Sequence, residues 1–244
     1  MLVAAAQLPL PASQPRRRDP PHPQKALAAI LRSRFIACLR AKDAETARQA
    51  AHAAVRGGVS VLEIVMSTPG VLEVTVEDLR RSYPSLTFGV GTVLNADDAK
   101  KAITAGAQFL MSPGTVMEIL RDLEESEVLY IPGVLTPTEV ISARDAGAEV
   151  VKVYPVSVMG GEMYMSALKK PFPLLPMVAS QGITIEVCLG QMERFVPPRR
   201  RETTVGEPMN CGSILTAARL TNYLACIEAL AVMSSPRTCF RIPQ

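Results

Sequence analysis

Residues 146–155 read AGAEVVKVYP: an Ala-Gly-Ala turn, then an apolar strand that carries the charge of Lys152 and ends at a proline. Residues 105–113, AGAQFLMSP, show the same order earlier in the chain. Glycine commonly ends a helix in the left-handed conformation, so each copy indicates a helix followed by a buried strand. A helix-to-strand unit that recurs is typical of a parallel α/β sheet.

Apolar runs of strand length extend this pattern over residues 34–186. They are Phe35–Leu39, Val59–Met66, Leu86–Val90, Phe109–Met111, Val128–Ile131, Val150–Tyr154 and Met177–Ala179. Between them, apolar residues recur at helical spacing, as in Ala44–Arg56 and Asp97–Ala105. The runs begin roughly 20–27 residues apart, which favours a (β/α)8 TIM barrel over an open doubly wound sheet. The dinucleotide fingerprint G-x-G-x-x-G is also absent after the first strand.

The regular pattern stops near residue 187, and we predict that the barrel is incomplete at its eighth strand. Four of the five cysteines fall after this point, and none of the lysines does. We assign residues 187–244 to a divergent C-terminal tail, in which Ile214–Met233 could form one helix. An open sheet of seven strands would expose two edges, which invites aggregation.

The beginning of the chain differs from the barrel in composition. Its first 25 residues hold six prolines and the basic run Arg16–Arg18. We predict that residues 1–33 are a disordered or targeting segment. The cysteines lack C-x-x-C spacing, which favours a reducing compartment, and we expect the cytoplasm or the chloroplast stroma.

Composition and charge also exclude several classes of function. A net charge of +3 is too small to predict binding to nucleic acid or to a membrane surface. No apolar run approaches the roughly 20 residues of a membrane helix. The two histidines are too few for a zinc site or a Ser-His-Asp arrangement. We expect no metal, no cofactor, and no nucleic-acid or membrane partner.

Two ionisable side chains interrupt apolar strands, and a barrel places its active site at the carboxyl ends of its strands. Burial disfavours the charged form of Lys152, and a neutral amine can attack a ketone to form a Schiff base. Glu63, in the run Val61–Met66, is suited by its desolvation to carry protons. Alternatively, Lys152 could reach solvent past the strand end, and Glu63 could form a structural ion pair with it.

Polar residues near two other strand ends complete the candidate site. Thr92 follows the glycines of Gly89-Val90-Gly91, which allow close backbone approach, and its hydroxyl could hold a carboxylate. The turn Ser180-Gln181-Gly182 follows the seventh strand, where barrels often bind phosphate through backbone N–H groups.

These residues, taken in order, resemble the family of 2-keto-3-deoxy-6-phosphogluconate (KDPG) aldolases, which also act on 2-keto-4-hydroxyglutarate (KHG), and in particular its plant-type branch. The resemblance spans residues 34–186. Its matching segments are Ile36–Arg40, Gly57–Val59 with Leu62-Glu63, Gly89–Asn95, Ala105–Phe109 with Ser112–Gly114, Ile131–Gly133 and Lys152–Pro155.

The resemblance implies a class I aldolase that cleaves a phosphorylated 2-keto-3-deoxy sugar acid to pyruvate and an aldehyde. Lys152 would form the Schiff base, Glu63 would move protons, and Thr92 would contact the pyruvate carboxylate. Tyr154 stands where the family usually has phenylalanine, and Pro113 is also expected to line the substrate. Family members tend to be trimeric, so a homotrimer is expected.

The chain departs from the family pattern at three further places. Ser67 occupies the position of an arginine that binds the substrate carboxylate, and Arg40 could compensate. Gln181 replaces a glycine of the phosphate loop that Ser180 and Gly182 flank. The eighth strand has no match. The alternative hypothesis is therefore an impaired or inactive variant that at most joins intact subunits; a phosphate-binding barrel with different chemistry is a third.

Overall fold

The computed structural model describes residues 25–124 and 126–181, and the backbone of residues 225–233. The bounds of its strands and helices lie close to those predicted from the sequence. The strands are β1 (Phe35–Ala41), β2 (Val61–Val65), β3 (Thr87–Gly91), β4 (Phe109–Met111), β5 (Leu129–Ile131), β6 (Gly133–Val134), β7 (Val151–Val153), β8 (Met177–Ala179) and β9 (Ala225–Met233). The helices are α1 (Lys25–Ser33), α2 (Ala44–Arg56), α3 (Val71–Ser82), α4 (Ala96–Thr104), α5 (Met117–Asp122), α6 (Pro137–Asp145) and α7 (Gly161–Lys169), with a 3-10 turn at Ser157–Met159.

Local sequence explains where several helices begin. Asp43 and Asn95 cap α2 and α4, because each side chain accepts a hydrogen bond from a backbone N–H in the first turn. Thr136 and Glu139 form a reciprocal capping box at the start of α6, where Pro137 suits the first helical turn. Asn95 is thus occupied as a helix cap, which separates its role from that of Thr92.

The strands form one sheet in the order β5-β4-β3-β2-β1-β9-β8-β7-β6. All ladders are parallel except the two that β9 makes. The two ends of this order, β5 and β6, are separated in the chain only by Pro132, which lacks an N–H to donate. The strand at the fifth position therefore pairs with β4 before the proline and with β7 after it. The predicted α/β barrel of seven parallel strands is confirmed.

The barrel is incomplete as a (β/α)8 repeat, because no eighth parallel strand follows β8 in the described residues. Its place is taken by β9, which pairs antiparallel with both β1 and β8. The prediction of one helix over Ile214–Met233 is wrong for residues 225–233, which are a strand. An apolar run of this kind suits either structure, and the unpaired edges of β1 and β8 decide for the strand.

Side chains alternate between two layers. Along β1, Ala37 and Leu39 face α2 in the larger core between sheet and helices, whereas Ile36 and Cys38 face the barrel interior. The interior layer continues with apolar side chains of the other strands: Val61, Val65, Phe109, Met111, Leu129, Ile131, Val150 and Val178. The same alternation directs residue 63 of β2 and residue 152 of β7 inward.

Helix α1 closes the amino-terminal end of the barrel. Its buried residues Leu27 and Ile30 pack with the interior layer, and its last turn leads directly into β1 through Arg34, whose N–H donates to the Ile30 carbonyl. The prediction of a disordered or targeting segment over 1–33 is therefore wrong for residues 25–33. The proline-rich composition ends before them, and the helix has an apolar face of its own. Residues 1–24 lie outside the described part of the chain.

Among the described residues, no helix is long and apolar enough to span a bilayer.

Replacing Ile30 by alanine is expected to lower the free energy of unfolding by about 2–5 kcal/mol, since Ile30 is fully buried against the barrel interior. Urea unfolding of the full chain measures this. The matched control is Arg32→Ala on the exposed side of the same helix, with an expected change within about 0.5 kcal/mol. Equal and small effects of the two substitutions would show that α1 does not belong to the cooperative core.

Candidate active site

Lys152 and Glu63 meet inside the barrel, toward its carboxyl end. With β5 and β6 counted as one strand, β2 and β7 lie on opposite sides of the ring of strands. Their inward side chains bring Lys152 Nζ to 3.9 Å from Glu63 Oε1. Lys152 is 6% exposed and Glu63 is fully buried. The structure thus joins the two ionisable groups that interrupt apolar strands, and Lys152 does not reach out into solvent.

The Glu63 carboxylate has unused hydrogen-bonding capacity. Neither of its oxygens has a hydrogen-bond partner among the described residues, and the lysine nitrogen is too distant for a hydrogen bond. Buried polar atoms are seldom left without a partner, and exceptions are typical of sites that a ligand or water completes. The Glu63 oxygens can therefore still accept hydrogen bonds from a polar group of a bound molecule.

Two glycines of β3 make space for this arrangement. A methyl group built on Gly91 would overlap the Glu63 carboxylate, and one built on Gly89 would overlap the ring of Phe109. Gly91 is the register partner of Val65, so Glu63 leans along the barrel axis over the neighbouring strand. The sequence analysis expected these glycines to allow close backbone approach beside Thr92. Their contact with Glu63 could not be predicted, because it depends on the register of the strands.

Thr92 lies at the carboxyl end of β3, half-buried, with a φ of 59°. A residue with a Cβ in this left-handed conformation is strained by about 1–2 kcal/mol. Such strain is often found at functional sites. The next residue, Val93, is held by a hydrogen bond from its N–H to the Met111 carbonyl, 3.0 Å away.

Tyr154 and Pro113 also lie at this end of the barrel. The ring centroid of Tyr154 is 5.7 Å from Lys152 Nζ, within the range of a cation–π contact, and the ring is partly exposed. Pro113 follows β4, and its backbone abuts Gly133, where any side chain would collide with it. The Thr115 hydroxyl donates to the Gly133 carbonyl, 2.9 Å away, which ties this loop to β6.

The predicted phosphate turn is described only in part. Ser180 is buried at the end of β8, and its N–H donates to the Val153 carbonyl over 3.0 Å. Gln181 has a φ of 77°, and its side-chain Oε1 is buried without a partner among the described residues. Gly182 lies outside the described residues.

Arg40 stands near the carboxyl end of β1 with an exposed side chain. The alternation along β1 puts it on the same face as Ile36 and Cys38, toward the barrel axis. Ser67, at the place where the resemblance expects an arginine, is exposed in the loop after β2. Arg40 is thus on the face of the sheet that carries Lys152, while Ser67 offers no cation.

Sequence reasoning assigned no role to Ser112 or Tyr130, although both are buried beside the site. The Tyr130 hydroxyl donates to Ser112 Oγ at 2.9 Å, and Ser112 Oγ donates to the Val93 carbonyl. Burial raises the pKa of Tyr130 above its ordinary value, so the phenol remains a donor at neutral pH. Ser112 was visible in the sequence as the polar residue that ends the run Phe109–Met111; Tyr130 was concealed in another apolar run.

No group of three or more histidine, cysteine, aspartate or glutamate side chains that could hold a metal occurs in the part of the chain that the structure describes. The polar groups that converge here are an amine, a carboxylate and hydroxyls. Such a set is suited to covalent chemistry on a carbonyl compound with proton transfer.

Comparison with known proteins agrees with this chemistry. The family model described as KDPG and KHG aldolase matches residues 27–193. A 2-dehydro-3-deoxy-phosphogluconate aldolase of Treponema pallidum is 33% identical over 155 residues, which are 64% of this chain and 73% of that protein. A KHG/KDPG aldolase of Escherichia coli is 32% identical over 143 residues, or 59% of this chain and 67% of that protein.

A solved structure adds a likeness of fold. The KDPG aldolase of Legionella pneumophila, crystallised with pyruvate captured at low pH as a covalent carbinolamine intermediate, is 28% identical. It superposes with a TM-score of 0.55 over 66% of this chain and 77% of that one.

Gly91→Ala is expected to lower the free energy of unfolding by about 1–3 kcal/mol, because the added methyl must displace the Glu63 carboxylate from its place. Urea unfolding measures the change. The control is Gly114→Ala, where the added methyl meets nothing within 4 Å, and a change of under about 1 kcal/mol is expected. If both variants unfold at the same urea concentration, Glu63 does not occupy the space above Gly91.

Proposed function

The chain belongs to the KDPG and KHG aldolase family, and on this basis we propose that it is a class I aldolase that cleaves KDPG or a related 2-keto-hydroxy acid to pyruvate and an aldehyde. The observation that carries the proposal is the buried amine of Lys152, 3.9 Å from a carboxylate that has no hydrogen-bond partner among the described residues. The pyruvate carbinolamine captured in the Legionella relative supports it.

Lys152 is the proposed nucleophile. Its amine adds to the C2 ketone of the substrate to form a carbinolamine, which loses water to give a protonated Schiff base. The positive nitrogen then accepts the electron pair of the C3–C4 bond when that bond breaks. The apolar walls around Lys152, which include Val150 and Val178, favour this chemistry because they keep bulk water away from the Schiff base.

Glu63 is the proposed proton carrier. Its carboxylate accepts the proton of the C4 hydroxyl as the C3–C4 bond breaks, and the aldehyde leaves. Glu63 returns this proton to C3 of the enamine that remains, and water then hydrolyses the Schiff base, which releases pyruvate and restores the amine of Lys152. Two free carboxylate oxygens are what such a role requires, since a carboxylate occupied by structural hydrogen bonds is a poorer base.

The substrate carboxylate requires donors, and we propose that the Thr92 hydroxyl and the Arg40 guanidinium provide them. Thr92 is supported by its unusual φ and its place at the end of β3. Arg40 is supported by its place near the end of β1, on the face of the sheet that carries Lys152. The exposed, uncharged Ser67 gives no alternative cation at the expected position.

The remaining predicted contacts belong to the body and the far end of the substrate. We propose that Tyr154 and Pro113 line the carbon chain, and that Ser180, Gln181 and Gly182 meet the phosphate. Backbone N–H groups of a turn after a late strand are a common phosphate site in barrels. The side chain of Gln181 narrows this turn compared with a glycine.

Assembly, compartment and domain limits remain part of the proposal. A homotrimer is expected from the family resemblance. Of the two compartments expected, the bacterial relatives give no support to the chloroplast stroma, so the cytoplasm is preferred. The barrel domain is proposed to begin at residue 25 rather than 34, because α1 packs into it.

The alternative function, an impaired variant that at most joins intact subunits, is favoured by one observation. The place of the eighth parallel strand is held by the antiparallel β9, so whatever a parallel eighth unit would contribute to a phosphate site must come from elsewhere. The alternative and the aldolase differ in whether Lys152 forms a Schiff base.

Incubation of the full chain with pyruvate and borohydride is expected to give a covalent adduct on Lys152, because borohydride reduces the Schiff base to a stable amine. Intact mass and peptide mapping measure it. Lys169 is an internal control: it is buried too, and burial lowers its pKa, but its amine is engaged with the Leu175 carbonyl. Lys152→Met should abolish the adduct and the exposed Lys170→Met should retain it. A folded protein that takes up no pyruvate would support the inactive variant.

Glu63→Gln is expected to reduce kcat for aldol cleavage by about 10²–10⁴-fold, since an amide cannot accept the proton of the C4 hydroxyl. Coupling of the released pyruvate to its reduction by NADH gives the rate. The same substitution at the exposed Glu118 of α5 is the control and should leave kcat unchanged. A Glu63→Gln variant with normal turnover would exclude Glu63 as the proton carrier.

A further inference from the structure

We propose that Tyr130 and Ser112 are positioning residues for substrate binding, because a buried chain of hydroxyl groups holds the backbone that follows Thr92. The inference rests on the proposed function, in which the Thr92 hydroxyl binds the substrate carboxylate. It concerns residues of β5 and of the β4 end that themselves need not touch the substrate.

The hydrogen bonds that link these hydroxyl groups all run in one direction. The N–H of Val116 donates to the Tyr130 hydroxyl over 3.1 Å, the Tyr130 hydroxyl donates to Ser112 Oγ over 2.9 Å, and Ser112 Oγ donates to the Val93 carbonyl. Tyr130 is 5% exposed and Ser112 and Val93 are fully buried. Consecutive hydrogen bonds in a buried site strengthen one another, so these three hydrogen bonds act as a unit.

The backbone at Thr92 requires such support. With a φ of 59°, Thr92 is held in a conformation that it would leave if its neighbours allowed. Val93 is fixed at both of its polar backbone groups: its N–H donates to the Met111 carbonyl, and its carbonyl accepts from Ser112. Both hydrogen bonds come from residues at the end of β4. The second one depends on the Ser112 side chain, which a mutation can remove.

Tyr130 extends this hold to the next strand. Its ring packs in the core between sheet and helices, while its hydroxyl reaches the end of β4. The same hydroxyl accepts from Val116 at the start of α5, so it joins β5, the end of β4 and the loop that carries Pro113. Phenylalanine would retain the packing of the ring and remove only the hydroxyl. The position therefore offers a substitution that tests the hydrogen bonds separately from the core.

The experiment measures the pyruvate concentration that gives half-maximal borohydride-trapped adduct on Lys152, together with the maximal yield of adduct. Ser112→Ala is expected to raise the half-saturating concentration about tenfold and Tyr130→Phe about threefold, the scale of a lost buried hydrogen bond. Thr92→Val, which removes the hydroxyl itself, should raise it at least as much. In Ser112→Ala and in Tyr130→Phe, the maximal yield of adduct should stay near that of the unmodified protein.

A merely structural role gives a different result: fewer molecules fold, so the maximal yield falls while the half-saturating concentration stays the same. The matched control is Tyr83→Phe, which removes a hydroxyl bonded to His52 Nδ1 between α2 and α3 and should change neither quantity. Combining Ser112→Ala with Thr92→Val should add nothing to Thr92→Val alone, because both act through one hydroxyl.

The outcomes separate this inference from the proposed function. If the unmodified chain traps no pyruvate, both are overturned. If Thr92→Val has a normal half-saturating concentration of pyruvate, both the contact of Thr92 with the carboxylate and the positioning role of Tyr130 and Ser112 are refuted. If Thr92→Val weakens pyruvate binding while Ser112→Ala and Tyr130→Phe do not, the positioning role alone is refuted. The same holds if these two substitutions lower only the yield of adduct. The proposed aldolase activity is unaffected in both cases.

Discussion

The amine of Lys152 and the carboxylate of Glu63 face each other across the barrel, 3.9 Å apart, in an interior whose other walls are apolar. Placing two ionisable groups there is costly, and their mutual attraction offsets only part of the desolvation. The rest of the interior is arranged around them. Gly91 leaves the space that the carboxylate fills, and α1 packs across the amino-terminal end of the barrel.

The antiparallel β9 fits this constraint, because Lys152 and Glu63 stay in position only while the ring of strands between them holds. β9 provides hydrogen bonds along the whole length of β1 and along β8, whose edges would otherwise be open. Its direction has a further consequence: Ala225 is the partner of Ala41, so β9 enters at the carboxyl end of β1, near Arg40. A parallel strand at this place would have to enter from the opposite end.

The parallel strands could be predicted because strands buried on both faces appear as continuous apolar runs, and for the same reason Lys152 and Glu63 were conspicuous as charges within them. Features that depend on register were not accessible. The partnership of Gly91 with Glu63 and the reach of Tyr130 to Ser112 follow from which residues lie side by side in neighbouring strands. The error at residues 25–33 arose because a short helix beside proline-rich sequence has too few turns for a clear pattern, and β9 was missed because its apolar run fits a helix as well.

In the described part of the chain, the buried polar atoms that lack a hydrogen-bond partner are distributed unequally along the barrel axis: they belong to Glu63 and Gln181, toward its carboxyl end. The amino-terminal end is closed by apolar packing of α1. At the carboxyl end, Thr92 is held at a positive φ, and the Glu63 oxygens have no hydrogen-bond partner in the part of the chain that the structure describes. Such features persist only where neighbouring structure overdetermines them, and here the backbone and hydroxyl bonds that converge on Val93 do so. A rigid strand end with unused polar groups loses little entropy when a substrate supplies the missing partners, whereas a flexible one would have to be ordered first.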